Sequence, residues 1–308
     1  MQTLTPTKAD PGLLPQIAPR QGHPRNPGMA LDLDWVASVQ ANTSAIERRC
    51  ATLGGRRSVK RDFQAAWLLK AISLIDLTTL SGDDTPGRVR RLCAKARQPV
   101  RQEMLDALGM PGLTVGAVCV YHDMVGTAVH ALEGSGIPVA AVSTGFPAGL
   151  SPWHLRIAEI GESVKAGAQE IDIVISRRHV LTGNWQALYD EMREMRAACG
   201  EAHLKVILGT GDDFIKTSTG KEAVNATLPV SLTMIRAIRD YEDRTGIKVG
   251  YKPAGGISKA KDALLYLALM KDELGDDWLH PDLFRFGASS LLGDIERQLE
   301  HHLTGQYS

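Results

Sequence analysis

Apolar positions along the chain follow two alternating rhythms from about residue 71 to the end. Short, nearly continuous apolar runs cover 71–77, 114–121, 137–142, 170–175, 204–208, 214–219, 248–252 and 283–286. Between them, large apolar residues recur every three or four positions. That spacing predicts helices over 86–108, 124–133, 152–166, 184–199, 228–244 and 258–274, and a last one carrying Leu291, Leu292, Ile295 and Leu299. Asn184 stands where a helix cap is needed. Continuous apolar runs predict strands buried on both faces, as in a parallel sheet. Eight strands alternating with helices in about 240 residues is the arithmetic of a TIM (β/α)8 barrel. A doubly wound open sheet competes with it, but no G-x-G-x-x-G follows the first strand.

Two departures modify that barrel. Residues 1–30 carry many Pro, Gly and Gln and few large apolar groups, which predicts a disordered arm ahead of a single domain spanning 31–308. That domain opens with an N-terminal helical extension. Leu31-Asp32-Leu33-Asp34-Trp35 begins an amphipathic helix, with Val36, Val39 and Ile46 following and a break at Gly54-Gly55. A second helix over 59–70 leads into the first strand. The other departure lies between the fifth and sixth strands, which only residues 209–213 separate. A parallel crossover needs a dozen residues or more, and five stretched residues span roughly 17 Å. The fifth crossover helix is therefore expected to be missing. A parallel sixth strand would need a stretched link and would leave an uncovered apolar face outside strands five and six.

Composition limits the partners. Lys and Arg total 35, as do Asp and Glu, and the pI is near 7.1, which argues against nucleic acid or an acidic membrane surface. No apolar run approaches the roughly 18 residues of a membrane span, and the N-terminus has no apolar signal core. Cys50, Cys93, Cys119 and Cys199 are scattered without a C-x-x-C pair, and read as reduced thiols of a cytoplasmic chain. His122, His154, His179 and His203 lack metal-ligand spacing, so neither metal nor cofactor is expected. The sequence leaves room for a homo-oligomer.

The chemistry gathers at strand ends. Phe214-Ile215 runs into Lys216, followed by Thr217-Ser218-Thr219-Gly220-Lys221, and Lys252-Pro253-Ala254-Gly255-Gly256 repeats the device. At the C-terminal face of a barrel, the strand ends would bring together Asp76, Thr78, Cys119, Asp172, Lys205, Lys216 and Lys252. Singly, Asp172 reads as a satisfied core carboxylate and Cys119 as a small core residue. Three lysines and two acids at one mouth form either an ion-pair network or a catalytic site. A lysine beside another cation can attack a carbonyl as the free amine. The hydroxyls and N–H groups of 217–220, with Gly255-Gly256 and Gly287-Ala288-Ser289-Ser290, suit a phosphate.

These motifs, with Asp76-Leu77-Thr78-Thr79-Leu80, Val118-Cys119-Val120-Tyr121, Gly145-Phe146-Pro147-Ala148-Gly149 and Glu170-Ile171-Asp172, resemble the deoxyribose-phosphate aldolases, and most closely their longer animal forms. The resemblance runs from about residue 30 to the end. It implies a class I aldolase that cleaves 2-deoxy-D-ribose 5-phosphate, a sugar phosphate, through a lysine Schiff base without a cofactor. Lys216 matches the Schiff-base lysine, Lys252 the lysine that lowers its pKa, and Asp172 the acid that handles protons through a water. Asp76, Thr78, Lys205 and Cys119 match supporting residues. Gly220, Lys221, Gly255, Gly256, Gly287, Ser289 and Ser290 match the phosphate site, and Tyr307 a C-terminal tyrosine used in proton transfer. Family members carry a helix between strands five and six. Its absence leaves a second reading, an inactive aldolase-like protein that keeps a sugar-phosphate pocket, and a third, a different Schiff-base aldolase.

Overall fold

Seven short strands pair in parallel, in chain order: β1 (Asp76–Thr78), β2 (Ala117–Tyr121), β3 (Val139–Ser143), β4 (Glu170–Val174), β5 (His203–Ile207), β6 (Phe214–Lys216) and β7 (Gly250–Lys252). The computed structural model describes residues 24–207 and 212–306. Every residue of β3 and β4 is buried, as the continuous apolar runs require. The eighth run does not form a full strand. Residues 283–287 bridge the two edges of the sheet, through Tyr251↔Phe284 and Ala254↔Gly287 on one side and Ile75↔Phe286 on the other. The Asp76 N–H donates to the Phe286 carbonyl at 2.8 Å, and the Phe286 N–H to the Leu74 carbonyl at 2.7 Å.

The described helices are α1 (Leu33–Ser38), α2 (Thr43–Arg56), α3 (Arg61–Ser73), α4 (Pro86–Arg97), α5 (Gln102–Ala107), α6 (Val125–Leu132), α7 (Trp153–Lys165), α8 (Arg177–Leu181), α9 (Trp185–Cys199), α10 (Leu228–Thr245), α11 (Ala260–Leu274) and α12 (Leu291–Thr304). Their ends carry expected signals. Asn184 Oδ1 accepts the Ala187 N–H at 3.2 Å, and Gly246 ends α10 in the left-handed region.

Several boundaries differ from the sequence reading. Ala71, Ile72 and Ser73 belong to α3, not to the first strand. That helix is buried over much of its circumference, so it shows no stripe and its apolar run mimics a strand. The first helix is two, α1 and α2, and Gly54-Gly55 lies inside α2. The helix expected over 86–108 breaks after Arg97, just ahead of Pro99, which disfavours helix in the residue before it. The arm expected over 1–30 is described only from residue 24 onward. Residues 1–23 lie outside the described residues, but Asn26 is buried at 2 % exposure.

Between Ile207 and Phe214 lie residues 208–213, of which 208–211 are outside the described residues. β6 pairs parallel to β5 with Lys205 facing Phe214 and Ile207 facing Lys216. The expected stretched link is not demanded. With strands this short, the chain returns by only two residues, about 7 Å along the strand and about 5 Å across. The outer face is also less bare than expected: Leu204 and Val206 are fully buried, and Ile215 is half-buried.

Candidate active site

Strand alternation aims Asp76, Glu170, Asp172, Lys205, Lys216, Lys252 and Arg285 at one another inside the sheet. Lys216 Nζ and Lys252 Nζ both reach Asp172 Oδ2, at 3.0 and 2.8 Å. Lys252 also pairs with Asp76 Oδ2. Lys205 contacts Glu170, Asp76 at 3.2 Å and Asp172 Oδ1 at 3.7 Å. Arg285 closes the cluster, 2.6 Å from Asp76 Oδ1 and 2.8 Å from Glu170 Oε1. Four cations therefore face three carboxylates. Lys216 touches the fewest carboxylates, Asp172 alone.

Burial pushes the carboxylic acids toward neutrality, but the neighbouring cations override it. Asp172 is held below the usual range by Lys252, Lys216 and Lys205, Asp76 well below it by Lys205, Lys252 and Arg285, and Glu170 below it by Arg285 and Lys205. Burial pulls Lys252 and Arg285 down, and the carboxylates hold both above their ordinary values. Lys252 is thus a fixed cation. Asp172 Oδ1 is buried with no hydrogen-bond partner among the described residues, an acceptor turned toward the interior.

The cluster is layered, which corrects the expectation of a single mouth. Of the residues expected at the strand ends, Thr78, Lys216 and Lys252 end their strands; Asp76 opens β1, and Cys119, Asp172 and Lys205 are mid-strand. Asp76 and Lys205, with Glu170 and Arg285, form a floor beneath the Lys216–Asp172–Lys252 contact. Sequence reasoning gave Glu170 and Arg285 no role. The available signal was Glu170 two positions before Asp172, on the same face, and an arginine between two phenylalanines.

An apolar layer lies above. Cys119, Val142, Phe146, Val174 and Ile207 pack together, and Lys216 Nζ is 5.8 Å from the centre of the Phe146 ring. Burial pushes the Cys119 thiol up to about 11, which suits packing rather than nucleophilic work. The Thr78 hydroxyl donates to the Asp76 carbonyl at 2.8 Å. A cavity of about 340 Å³ opens beside this layer, lined among others by Val174, Arg177, Ile207, Thr217 and Ser218.

The glycine turns converge. The Gly255 N–H donates to the Gly287 carbonyl at 3.2 Å, and a Cβ on Gly220 would lie 3.8 Å from the Gly255 Cα. Gly255 has φ +76°, and a Cβ there would meet Asn225 at 2.7 Å, so only glycine fits. Ser290 immediately precedes α12, and Lys221 is exposed at the rim. Not every hydroxyl expected to meet phosphate is free. Ser218 donates to the Ala254 carbonyl at 2.8 Å, and Thr217 accepts the Ala254 N–H at 3.0 Å, which ties the Lys216 strand to the Lys252 turn. Ser289 accepts the Thr78 N–H and donates to the Thr78 carbonyl, both at 2.7 Å. Tyr307 lies outside the described residues.

The DeoC/LacD aldolase family model matches residues 70–210. The chain is 55 % identical to human deoxyribose-phosphate aldolase, covering 92 % of this chain and 96 % of the relative. That alignment runs over 306 positions, yet 92 % of 308 residues is about 283, so about 23 positions of the relative face no residue here. Among solved structures, a Toxoplasma gondii protein described as a putative deoxyribose-phosphate aldolase superposes with a TM-score of 0.66 at 21 % identity, covering 79 % of this chain and 97 % of that one. The Aeropyrum pernix deoxyribose phosphate aldolase, described as a unique tetramer, superposes with a TM-score of 0.54 at 21 % identity, covering 84 % of this chain and 99 % of that one.

Proposed function

The chain belongs to the deoxyribose-phosphate aldolases, and from that membership we propose that it cleaves 2-deoxy-D-ribose 5-phosphate to D-glyceraldehyde 3-phosphate and acetaldehyde through a Schiff base on Lys216. The observation that carries the proposal is the sharing of Asp172 Oδ2 by Lys216 and Lys252, while Asp172 Oδ1 accepts no hydrogen bond among the described residues.

The Lys216 amine attacks the C1 aldehyde of the open-chain sugar, and uptake of one proton with loss of water gives a protonated imine. Asp172, acting through a water at Oδ1, takes the proton of the C3 hydroxyl. The C3 oxygen forms a carbonyl as the C2–C3 bond breaks, and that electron pair flows into the imine as an enamine. Acetaldehyde has two carbons, so cleavage between C3 and C4 would not yield it. Protonation at C2 and hydrolysis then release acetaldehyde and the free lysine. Lys252, a fixed cation, keeps the cluster one positive charge in excess and so favours the free amine at Lys216. Gly220, Lys221, Gly255, Gly256, Gly287, Ser289 and Ser290 form the phosphate site: the N–H groups of Gly220, Lys221, Gly255 and Gly287 and the Ser289 hydroxyl are engaged within the turns, so the Lys221 ammonium and the N–H groups of Gly256, Ser289 and Ser290 meet the phosphate.

The scaffold reading is a (β/α)8-type barrel with an N-terminal helical extension and no fifth crossover helix. It is supported by the bridges through residues 283–287, the parallel pairing of β6 and the positions unmatched in the human relative. An inactive descendant finds no support, because parallel pairing keeps Lys216 beside Lys252. A cytoplasmic location and self-association belong to the same proposal. Among the described residues no helix is long and apolar enough to cross a membrane, and the four cysteines are buried and free. Borohydride reduction in the presence of substrate, followed by peptide mass mapping, tests the chemistry. The expected adduct sits on Lys216; an adduct elsewhere, or none on folded protein, overturns it.

A further inference from the structure

A parallel sheet of this kind covers the outside of each strand pair with the helix that joins them. Between β5 and β6 the joining segment is too short to supply one. The gap falls between α9, which precedes β5, and α10, which follows β6. Residues 24–36 run along it.

Contacts tie this segment to both neighbouring helices. The Tyr189 hydroxyl, from α9, donates to the Met29 carbonyl at 3.1 Å, and Arg25 pairs with Glu201 at 3.5 Å just beyond the end of α9. From α10, Tyr241 stacks on Trp35 with centroids 6.5 Å apart, and Arg244 lies over Trp35 while pairing with Asp32. The fit is incomplete, leaving a cavity of about 410 Å³ lined by both the segment and these helices.

Asn26 carries the contact inward to the strands. Its N–H donates to Asp213 Oδ1 at 2.8 Å, its side-chain amide donates to the Asp212 carbonyl at 3.1 Å, and its Oδ1 accepts the Tyr241 hydroxyl at 3.0 Å. Asp213 is a node at the foot of β6. Its Oδ2 accepts the Leu204 N–H at 2.9 Å, its own N–H donates to the Leu204 carbonyl at 3.2 Å, and its carbonyl accepts the Gly250 N–H at 2.8 Å. One residue thus joins β5, β6, β7 and the N-terminal segment, three positions before Lys216. A three-residue strand has few ladder bonds of its own, so its placement depends on that node.

We propose that residues 24–36 take the place of the missing crossover helix, and that Asn26, whose side chain holds the Asp212 carbonyl and Tyr241 and so keeps its own N–H on Asp213, is a positioning residue for Lys216. The catalytic half of this proposal rests on the reading of Lys216 as the nucleophile. Small errors in placing a reacting group are costly, and a 1 Å displacement costs up to about a hundredfold in rate.

The test uses the full chain carrying Asn26→Ala, with Asn26→Gln as a milder second variant and Tyr189→Phe as a control. The control loosens the same segment without touching a strand. Each is assayed at a temperature where its circular dichroism is native. For Asn26→Ala the expected result is a fall in kcat of about tenfold with KM within about twofold, and faster amide exchange in peptides covering 203–207 and 214–216. Asn26→Gln should recover part of both, and Tyr189→Phe should lower Tm alone. Unchanged exchange in the strands, or the same kcat for Asn26→Ala as for Tyr189→Phe, overturns the proposal. Exchange does not depend on turnover, so an inactive parent would refute the aldolase chemistry while the exchange arm still decides whether the segment holds the strands.

Discussion

Replacing Lys252 by leucine removes one cation from the buried cluster and leaves the other six charged groups in place. Lys216 Nζ and Lys252 Nζ lie 3.0 and 2.8 Å from the same Asp172 oxygen, so they are at most 5.8 Å apart. At an effective dielectric of about 20, two unit charges at that separation repel by about 3 kcal/mol. That is about two pH units at about 1.4 kcal/mol each. In Lys252→Leu three cations face three carboxylates, and the excess charge that favours a free amine is gone. The acid limb of kcat/KM, measured from pH 6 to 10 on 2-deoxyribose 5-phosphate, should therefore move about two units to higher pH. Turnover at pH 7 should fall about a hundredfold. Asp76 and Asp172 each lose a buried partner, so stability should drop by about 3–5 kcal/mol, and the assay belongs at a temperature where the variant is folded. An acid limb that stays within half a unit of the parent, on folded protein, would refute the charge argument.

Further expectations concern stability and the phosphate turns. Asp212 is fully buried, neither carboxylate oxygen has a partner among the described residues, and burial followed by the neighbouring Asp213 raises it well above its ordinary value. Between pH 3.8 and that raised value the folded state binds more protons than the unfolded, so stability falls as pH rises; Asp212→Asn should raise Tm by about 2–4 °C at pH 7–8, a gain that vanishes below about pH 4. Asp76, Asp172 and Glu170 have the opposite sign, with folded values below the ordinary 3.8 and 4.5, so their contribution is present above that range and lost below it. The urea midpoint should hold from pH 7 to 5 and drop steeply toward pH 3. Gly255→Ala forces a positive φ and a contact with Asn225, and should raise KM about tenfold or more, with inorganic phosphate losing its competition.

The parts legible in the sequence were those with local signals. Apolar runs lay over or beside each of the seven observed strands, while the eighth run forms only isolated bridges, and the two lysines before glycine turns marked the chemistry. Three features had no local signal. Ala71–Ser73 is helix because α3 is enclosed by neighbours, which erases the stripe that marks a helix. Arg285 and Glu170 meet across 115 positions, and each alone reads as a polar interruption of a strand. Asn26 lies in an extended segment without periodicity, and its partner Asp213 is 187 positions away. Such contacts exist only once the sheet has closed and the gap beside β5 and β6 has a shape.

The central claim is that Lys216, held against Asp172 and Lys252, makes this chain an aldolase despite the absent crossover. Its most direct test is steady-state turnover of the full chain on 2-deoxyribose 5-phosphate, with acetaldehyde and glyceraldehyde 3-phosphate both quantified, beside a Lys216→Met variant of native circular dichroism. The expected result is equimolar production of both by the parent and none above background by the variant. A folded parent that forms neither product, or a variant that keeps the parent's rate, would contradict it.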